Sequence, residues 1–135
     1  MKTAMIIASD AGARTAGIIR EELGKEVDLF SVSERSGCVR IDSITDFTLR
    51  HFGDYEAFVF IGAMGICVRA IAPCVTSKYA DPAVVNVDAT GHFVVSVLAG
   101  HVGGANALTE RLARILGAQP VVTTQSDNTG LWALD

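Results

Sequence analysis

Short apolar runs alternate with amphipathic stretches along this chain, and the alternation predicts strands and helices in turn. Residues 5–8 form a first apolar run after a polar start. The turn Ser9-Asp10-Ala11-Gly12-Ala13 follows, with Asp10 placed to cap a helix running to about Leu23. In that helix Ile18, Ile19 and Leu23 face inward, Arg14, Glu21 and Glu22 face outward, and Gly24 stops it. Residues 27–32 read as a second strand and residues 33–37 as a polar loop. A second helix opens at Ser43, with Asp46 three residues on in a variant of the capping box. Ile44, Phe47 and Phe52 share its inner face and Gly53 ends it. Ala57-Phe58-Val59-Phe60-Ile61 is apolar without a break, so both faces of that strand are expected to be covered. Residues 66–72 are apolar nearly all round and predict a buried helix, ended by Pro73, which pushes Ala72 out of helical geometry.

Residues 83–88 and 92–98 are strand-like and are joined by Ala89-Thr90-Gly91. So short a glycine-containing link predicts a hairpin, hence an antiparallel pair. A glycine-rich turn then leads into a helix with Leu108, Leu112 and Ile115 on one face, an i,i+4 pair in Glu110 and Arg114, and Gly117 at its end. Residues 119–124 give a last strand and residues 125–130 a connector. Leu131-Trp132-Ala133-Leu134 begins an apolar pattern that is not completed. The order β-α-β-α-β-α-β-β-α-β predicts an α/β fold, a three-layer α/β/α sandwich whose mostly parallel sheet contains one antiparallel hairpin. At 135 residues the chain reads as a single α/β domain, 1–135, and is expected to be the N-terminal fragment of a longer protein whose C-terminal domain is absent.

Composition narrows the partners. Half of the residues are apolar and 19% are charged, which suits a globular core. The formal net charge is −4 and no run of Lys or Arg occurs, so no nucleic-acid partner is expected. No apolar stretch is long enough to span a membrane, and the N-terminus is too briefly apolar for a secretory signal. Cys38, Cys67 and Cys74 have neither zinc spacing nor an even count. They read as free thiols in a reducing cytoplasm, and no metal site is expected.

Two strand–glycine–helix junctions carry the candidate chemistry. One is Ile61-Gly62-Ala63-Met64-Gly65, and the other runs from Ala99 through Gly100, His101, Gly103 and Gly104 to Asn106. Glycine lets the backbone approach a ligand, and helix N-termini favour anions such as carboxylate or phosphate. In open α/β sheets ligands settle outside the carboxyl ends of strands, so both junctions are expected to line one cleft there. The glycines equally suit tight turns and close helix–sheet packing. Neither junction matches a Walker A loop or the dinucleotide-binding glycine pattern. His101 can act as a general acid or base, donate to an anion, or bond a backbone carbonyl within its turn. Arg69 can clamp a ligand carboxylate, pair with an acid or reach to water. Asp127 follows the last strand and can face the same cleft or serve as a loop acid. Asn106 can touch ligand or cap the last helix. Asp88 reads as a turn residue, and His51 and His92 as surface residues.

Phe60-Ile61-Gly62-Ala63-Met64-Gly65-Ile66-Cys67-Val68-Arg69-Ala70-Ile71-Ala72-Pro73 and Ser96-Val97-Leu98-Ala99-Gly100-His101-Val102-Gly103-Gly104-Ala105-Asn106 belong together. With Asp81-Pro82-Ala83-Val84-Val85 between them and Gly117-Ala118-Gln119-Pro120-Val121-Val122-Thr123-Thr124 after, they resemble the N-terminal region of the cobalamin-biosynthesis CbiG family, the cobalt-precorrin-5A hydrolases. Several motifs in one order are far more specific than either glycine turn alone. The resemblance implies a place in the anaerobic, early-cobalt route to vitamin B12. The implied reaction is hydrolytic opening of the δ-lactone of cobalt-precorrin-5A, with acetaldehyde released and cobalt-precorrin-5B formed. It also implies a cobalt-corrinoid substrate that brings its own cobalt, so that no resident cofactor is needed. The C-terminal domain of the same protein is the implied partner, and a homo-oligomer stays open as an assembly. The many acetate and propionate groups of a corrinoid suit Gly62, Met64, Gly65, Arg69, Gly100, Gly103, Gly104 and Asn106 as substrate-binding residues. Lactone opening needs an activated water and a stabilised oxyanion. His101 and Asp127 are the catalytic candidates, with the Gly103 and Gly104 N–H groups as oxyanion donors. Ala99 stands where the family often has Ser, so no catalytic hydroxyl is assigned there. The alternative role is a non-catalytic corrinoid-binding or scaffolding module of that enzyme.

Overall fold

The computed structural model describes residues 1–100 and 102–124. Its elements are β1 (Thr3–Ile7), α1 (Ala13–Leu23), β2 (Val27–Ser31), β3 (Val39–Arg40), α2 (Ile44–His51), β4 (Ala57–Ile61), α3 (Met64–Ile71), β5 (Ala83–Val87), β6 (Phe93–Leu98), α4 (Ala105–Leu116) and β7 (Gln119–Val121). One sheet runs in the order β3-β2-β1-β4-β5-β6-β7. The three-layer α/β/α sandwich is as expected, with β3 as an addition. Two residues of a polar stretch carry no strand pattern, and Val39–Arg40 extend only because Phe30 and Ser31 lie alongside them.

The pairs from β3 to β5 are all parallel. The β5–β6 pair is antiparallel and β7 runs parallel to β6. The last two strands therefore point the opposite way to the first five. One irregularity interrupts the hairpin. Asn86 pairs with Val95 and Val85 with Ser96, but Val84 pairs with Leu98, so Val97 is an extra residue on β6. Val97 and Leu98 consequently both pack on the same side of the sheet.

Both sheet faces are covered, so β1 and β4 are buried at every position. Ile19 and Leu23 of α1 join Leu108 and Leu112 of α4 over Met5, Ile7, Val59, Ile61, Val85 and Val87. On the other face Phe52, Cys67, Ala70 and Ile71 pack with Ile6, Phe30, Phe58, Phe60 and Val84. Phe58 and Phe60 are almost fully buried, and each contributes about 2 kcal/mol through the apolar area it removes from water.

Three local expectations are corrected. Asp10 does not cap α1. A short 3-10 turn over Asp10–Gly12 intervenes, α1 begins at Ala13 without a side-chain cap, and Asp10 instead pairs with Arg35. Ser43 does cap α2, its hydroxyl accepting from the Asp46 N–H at 3.2 Å. The helix α3 is not buried all round. Gly65, Val68 and Arg69 are exposed, Val68 by 47%, because the sheet covers only the Cys67–Ala70–Ile71 side. Pro73 does not expel Ala72 from helical geometry either, since Ala72 sits at φ −49° and ψ −47°. The chain keeps turning past the proline, with the Cys74 and Val75 N–H groups both donating to the Ile71 carbonyl.

Candidate functional site

The direction of β6 decides where the two glycine junctions lie. Ile61 at the end of β4 is level with Val87 at the end of β5, and Val87 pairs with Val94 near the start of β6. Leu98 at the end of β6 pairs with Val84 at the start of β5. The Gly62–Gly65 junction thus stands at the carboxyl edge of the parallel strands, and the Ala99–Asn106 turn stands at their amino edge. Five-residue strands separate the two edges by about 17 Å. The single cleft expected from the sequence does not form, because an antiparallel strand delivers its carboxyl end to the opposite side of the sheet.

At the carboxyl edge, β1 and β4 are neighbours whose following helices cover opposite faces, the arrangement of a topological switch point. Gly62 adopts φ +153°, and a Cβ there would stand 2.7 Å from the Ala8 Cβ. Its N–H donates to the Val87 carbonyl, and its carbonyl accepts from the buried Asn86 Nδ2 at 3.1 Å. The N–H groups of Met64 and Gly65 have no acceptor among the described residues, as the first turn of a helix leaves them. The Arg69 guanidinium folds back over this turn, 3.5 Å from where a Gly65 Cβ would stand, and Arg69 forms no ion pair among the described residues. Gly62, Met64, Gly65 and Arg69 are therefore brought together around one anion-receptive helix end.

The hairpin turn beside it is held by Asp88. Its carboxylate accepts from the His92 and Phe93 N–H groups at 2.8 and 2.6 Å and from the Thr90 hydroxyl at 2.7 Å. Burial pushes this carboxyl up, but those hydrogen bonds and the neighbouring His92 outweigh it and hold the group below its usual value. The turn role read for Asp88 is the one observed.

The amino edge is more crowded. Ala99 sits at φ +57°, in the left-handed region that costs a residue with a Cβ about 1 kcal/mol. Gly100 is packed so closely that a Cβ would lie 2.6 Å from Asn106 Oδ1 and 2.9 Å from Thr124 Oγ1. The Asn106 side chain accepts from the Ser96 hydroxyl at 2.7 Å and donates to Thr124 Oγ1 at 2.9 Å. It thereby joins β6, α4 and the segment after β7, and it does not cap α4. The N–H groups of Ala105 and Asn106 donate to the Ala99 and Gly100 carbonyls. Two first-turn donors of α4 are thus spent inside the turn, so the open backbone cradle anticipated there is partly closed.

Beside this turn, Gly103 approaches the Ala83 nitrogen at the start of β5. The preceding loop is clamped by Asp81, 8% exposed, whose carboxylate accepts from the Thr76 N–H and hydroxyl and from the Ser77 N–H at 2.8–3.1 Å. An apolar cavity of about 210 Å³ opens on the same edge, lined by Met1, Leu23, Gly104, Ala107, Leu108 and Arg111 among others. That is smaller than the several hundred Å³ of typical ligand pockets, so a macrocycle cannot be enclosed in it. His101 and Asp127 lie outside the described residues. The clamp of Asp81 and the partners of Asn106 were missed in the sequence. Thr76-Ser77 four to five residues ahead of Asp81 was the only local signal, and Ser96 and Thr124 lie 10 and 18 residues from Asn106.

Likeness to known proteins extends over both edges. Residues 46–127 match the family model described as Cobalamin synthesis G N-terminal. The chain belongs to that family. A cobalt-precorrin-5A hydrolase from Salmonella typhimurium is 56% identical over 84 residues, covering 62% of this chain and 24% of that protein. A second, from Priestia megaterium, is 50% identical over 76 residues, 56% of this chain and 20% of that one. The chain thus matches about a quarter or less of the length of these curated relatives. The crystal structure of a cobalamin biosynthesis protein G homolog from Sulfolobus solfataricus superposes with a TM-score of 0.71 at 27% identity, over 90% of this chain and 36% of that one. The family match takes in both glycine junctions, the Asp81 clamp and the Ser96–Asn106–Thr124 bridge. Among the described residues no helix is long and apolar enough to cross a membrane.

Proposed function

We propose that this chain is the N-terminal part of a cobalt-precorrin-5A hydrolase, a cytoplasmic enzyme of the anaerobic, early-cobalt route to cobalamin. The whole enzyme opens the δ-lactone of its substrate by hydrolysis and releases acetaldehyde, leaving cobalt-precorrin-5B. Cobalt enters with the corrinoid, and the protein needs no resident cofactor. The observation that carries this reading is the 56% identity to the Salmonella typhimurium hydrolase across 84 residues.

The amino edge is the better candidate for the reaction. In the sequence His101 falls between Gly100 and Val102, and Asp127 falls three residues after Thr124, whose hydroxyl accepts from the Asn106 amide at this edge. His101 as base would activate water, and the Gly103 and Gly104 N–H groups would face the developing oxyanion. Gly62, Met64, Gly65 and Arg69, about 17 Å away across the strands, cannot touch the same lactone. They suit a separate carboxylate. The small apolar cavity favours a second reading, in which the C-terminal part of the protein completes the site and this chain binds rather than reacts.

Acetaldehyde release from cobalt-precorrin-5A tests both. The chain joined to the C-terminal remainder of a hydrolase is expected to release acetaldehyde, and the chain alone is not. Silence from the joined protein ends the proposal. In the joined protein His101→Ala is expected to abolish turnover, and unchanged turnover moves this chain to the binding role.

A further inference from the structure

We infer that Tyr79 and Lys78 form a surface platform that takes the conjugated ring and carboxylate rim of a cobalt corrinoid. Tyr79 is 74% exposed, the most exposed of the large apolar side chains among the described residues. Among the described residues its one ring contact is the Lys78 ammonium, 5.3 Å from the ring centre. Yet its backbone is fixed. The Tyr79 N–H donates to the Ser77 hydroxyl at 3.0 Å, and the Ala80 and Asp81 N–H groups both donate to the Ser77 carbonyl. The buried Asp81 carboxylate ties the start of the same turn. An aromatic face is therefore presented to solvent on a rigid support, which lowers the ordering cost of stacking. Pro82 and Ala83 continue from the turn into β5, where Gly103 packs on the Ala83 nitrogen, so the platform stands at the same amino edge of the sheet. A corrinoid presents a conjugated ring system rimmed by carboxylates, and it is too large for the 210 Å³ cavity that opens elsewhere on this edge. Lying flat on Tyr79 with carboxylates at Lys78 suits both of its chemistries.

The identity of the ligand rests on the function proposed above, and the test separates the two. Cobyrinic acid, a cobalt corrinoid carrying free carboxylates, is titrated into the chain by calorimetry. The wild type is expected to bind it, Tyr79→Ala about tenfold more weakly, and Tyr79→Phe within about twofold of the wild type. Lys78→Gln is expected to bind about threefold more weakly, with a flatter salt dependence. Arg14→Gln, an exposed cation at the opposite edge, is expected to change nothing, and all four melting temperatures to stay at the wild-type value. The platform is overturned by any of three results. The wild type does not bind the corrinoid, it binds ATP as tightly, or Tyr79→Ala and Lys78→Gln bind like the wild type. If acetaldehyde is released by the joined protein while Tyr79→Ala binds normally, the platform fails and the function stands. If the joined protein is silent while Tyr79→Ala weakens corrinoid binding, the function fails and the platform stands.

Discussion

Gly103 has no room for a side chain, and replacing it with alanine tests what holds the amino-edge turn in place. A Cβ would lie 2.5 Å from the Ala99 Cβ, 2.9 Å from the Ala99 carbonyl oxygen and 3.5 Å from the Ala83 nitrogen. The first two are overlaps, and neither neighbour is the loose end of a long side chain. Ala99 is already at φ +57°, and its carbonyl is engaged by the Ala105 N–H at 3.2 Å. Relief requires the backbone to move. Overpacking by one methyl group costs about 1–3 kcal/mol, and two overlaps, one with the Ala99 Cβ and one with its backbone carbonyl, place Gly103→Ala near 2 kcal/mol. At roughly 4 °C per kcal/mol for a domain of this size, the melting temperature falls by about 8 °C. Gly17→Ala is the opposite control. Gly17 lies inside α1 with no atom within 4 Å of an added Cβ, so the helix gains about 0.8 kcal/mol and melts about 3 °C higher. Adding Ala99→Gly to Gly103→Ala removes the nearest contact and the left-handed penalty together, and about half the loss returns. Thermal and urea unfolding followed by far-UV circular dichroism measure all four proteins. A Gly103→Ala protein melting within 1 °C of the wild type refutes the reasoning, and so does a double variant with no recovery.

Three further outcomes are expected. Asn106→Ala deletes the bonds to Ser96 and Thr124, and urea unfolding should show a loss of about 2 kcal/mol; an unchanged midpoint would mean the bridge is idle. Burial pushes the Cys67 thiol up from its ordinary value near 9 to about 12. The folded state then keeps a proton the unfolded state releases, so this contribution to stability is complete below pH 9 and is lost as the pH rises towards 12. Between pH 8 and 10 the urea midpoint should fall, and fall less steeply in Cys67→Ala; equal slopes would contradict it. The Asp88 carboxyl is held low, so its contribution is present above the unfolded value near 3.8 and lost as the pH falls through the folded one. Asp88→Asn should flatten the acid limb of stability below pH 4, and an unaltered limb would show that the hairpin turn does not depend on the charge.

Much of the fold was legible because its signals are local. Ala57–Ile61 announces a strand covered on both faces, and Ser43 with Asp46 announces the start of α2. The Ala89-Thr90-Gly91 link announces the hairpin, and the hairpin already implies that β6 carries its glycine turn away from Gly62. That consequence is geometric rather than compositional, which is why two junctions with the same glycine chemistry looked like one cleft. The exposed side of α3 was hidden because Gly65, Val68 and Ala72 are apolar whether or not anything covers them. Asp10 misled because its capping chemistry was sound but Arg35, 25 residues away, claimed the carboxylate. The bridge through Asn106 depends on three segments meeting, and no window of sequence contains them all.

The extra residue Val97 means that the amino-edge turn is aimed from outside itself. Ser96 faces α4 and reaches Asn106, while Val97 and Leu98 both turn to the other helical layer. The usual alternation would have left Leu98 facing α4. The phase in which the chain enters Ala99 is therefore set upstream of every glycine in the turn. The turn is not a portable cassette. Transplanted onto a regular hairpin, residues 99–106 would enter with their inner and outer sides exchanged, and removing Val97 from this protein would do the same without touching the turn.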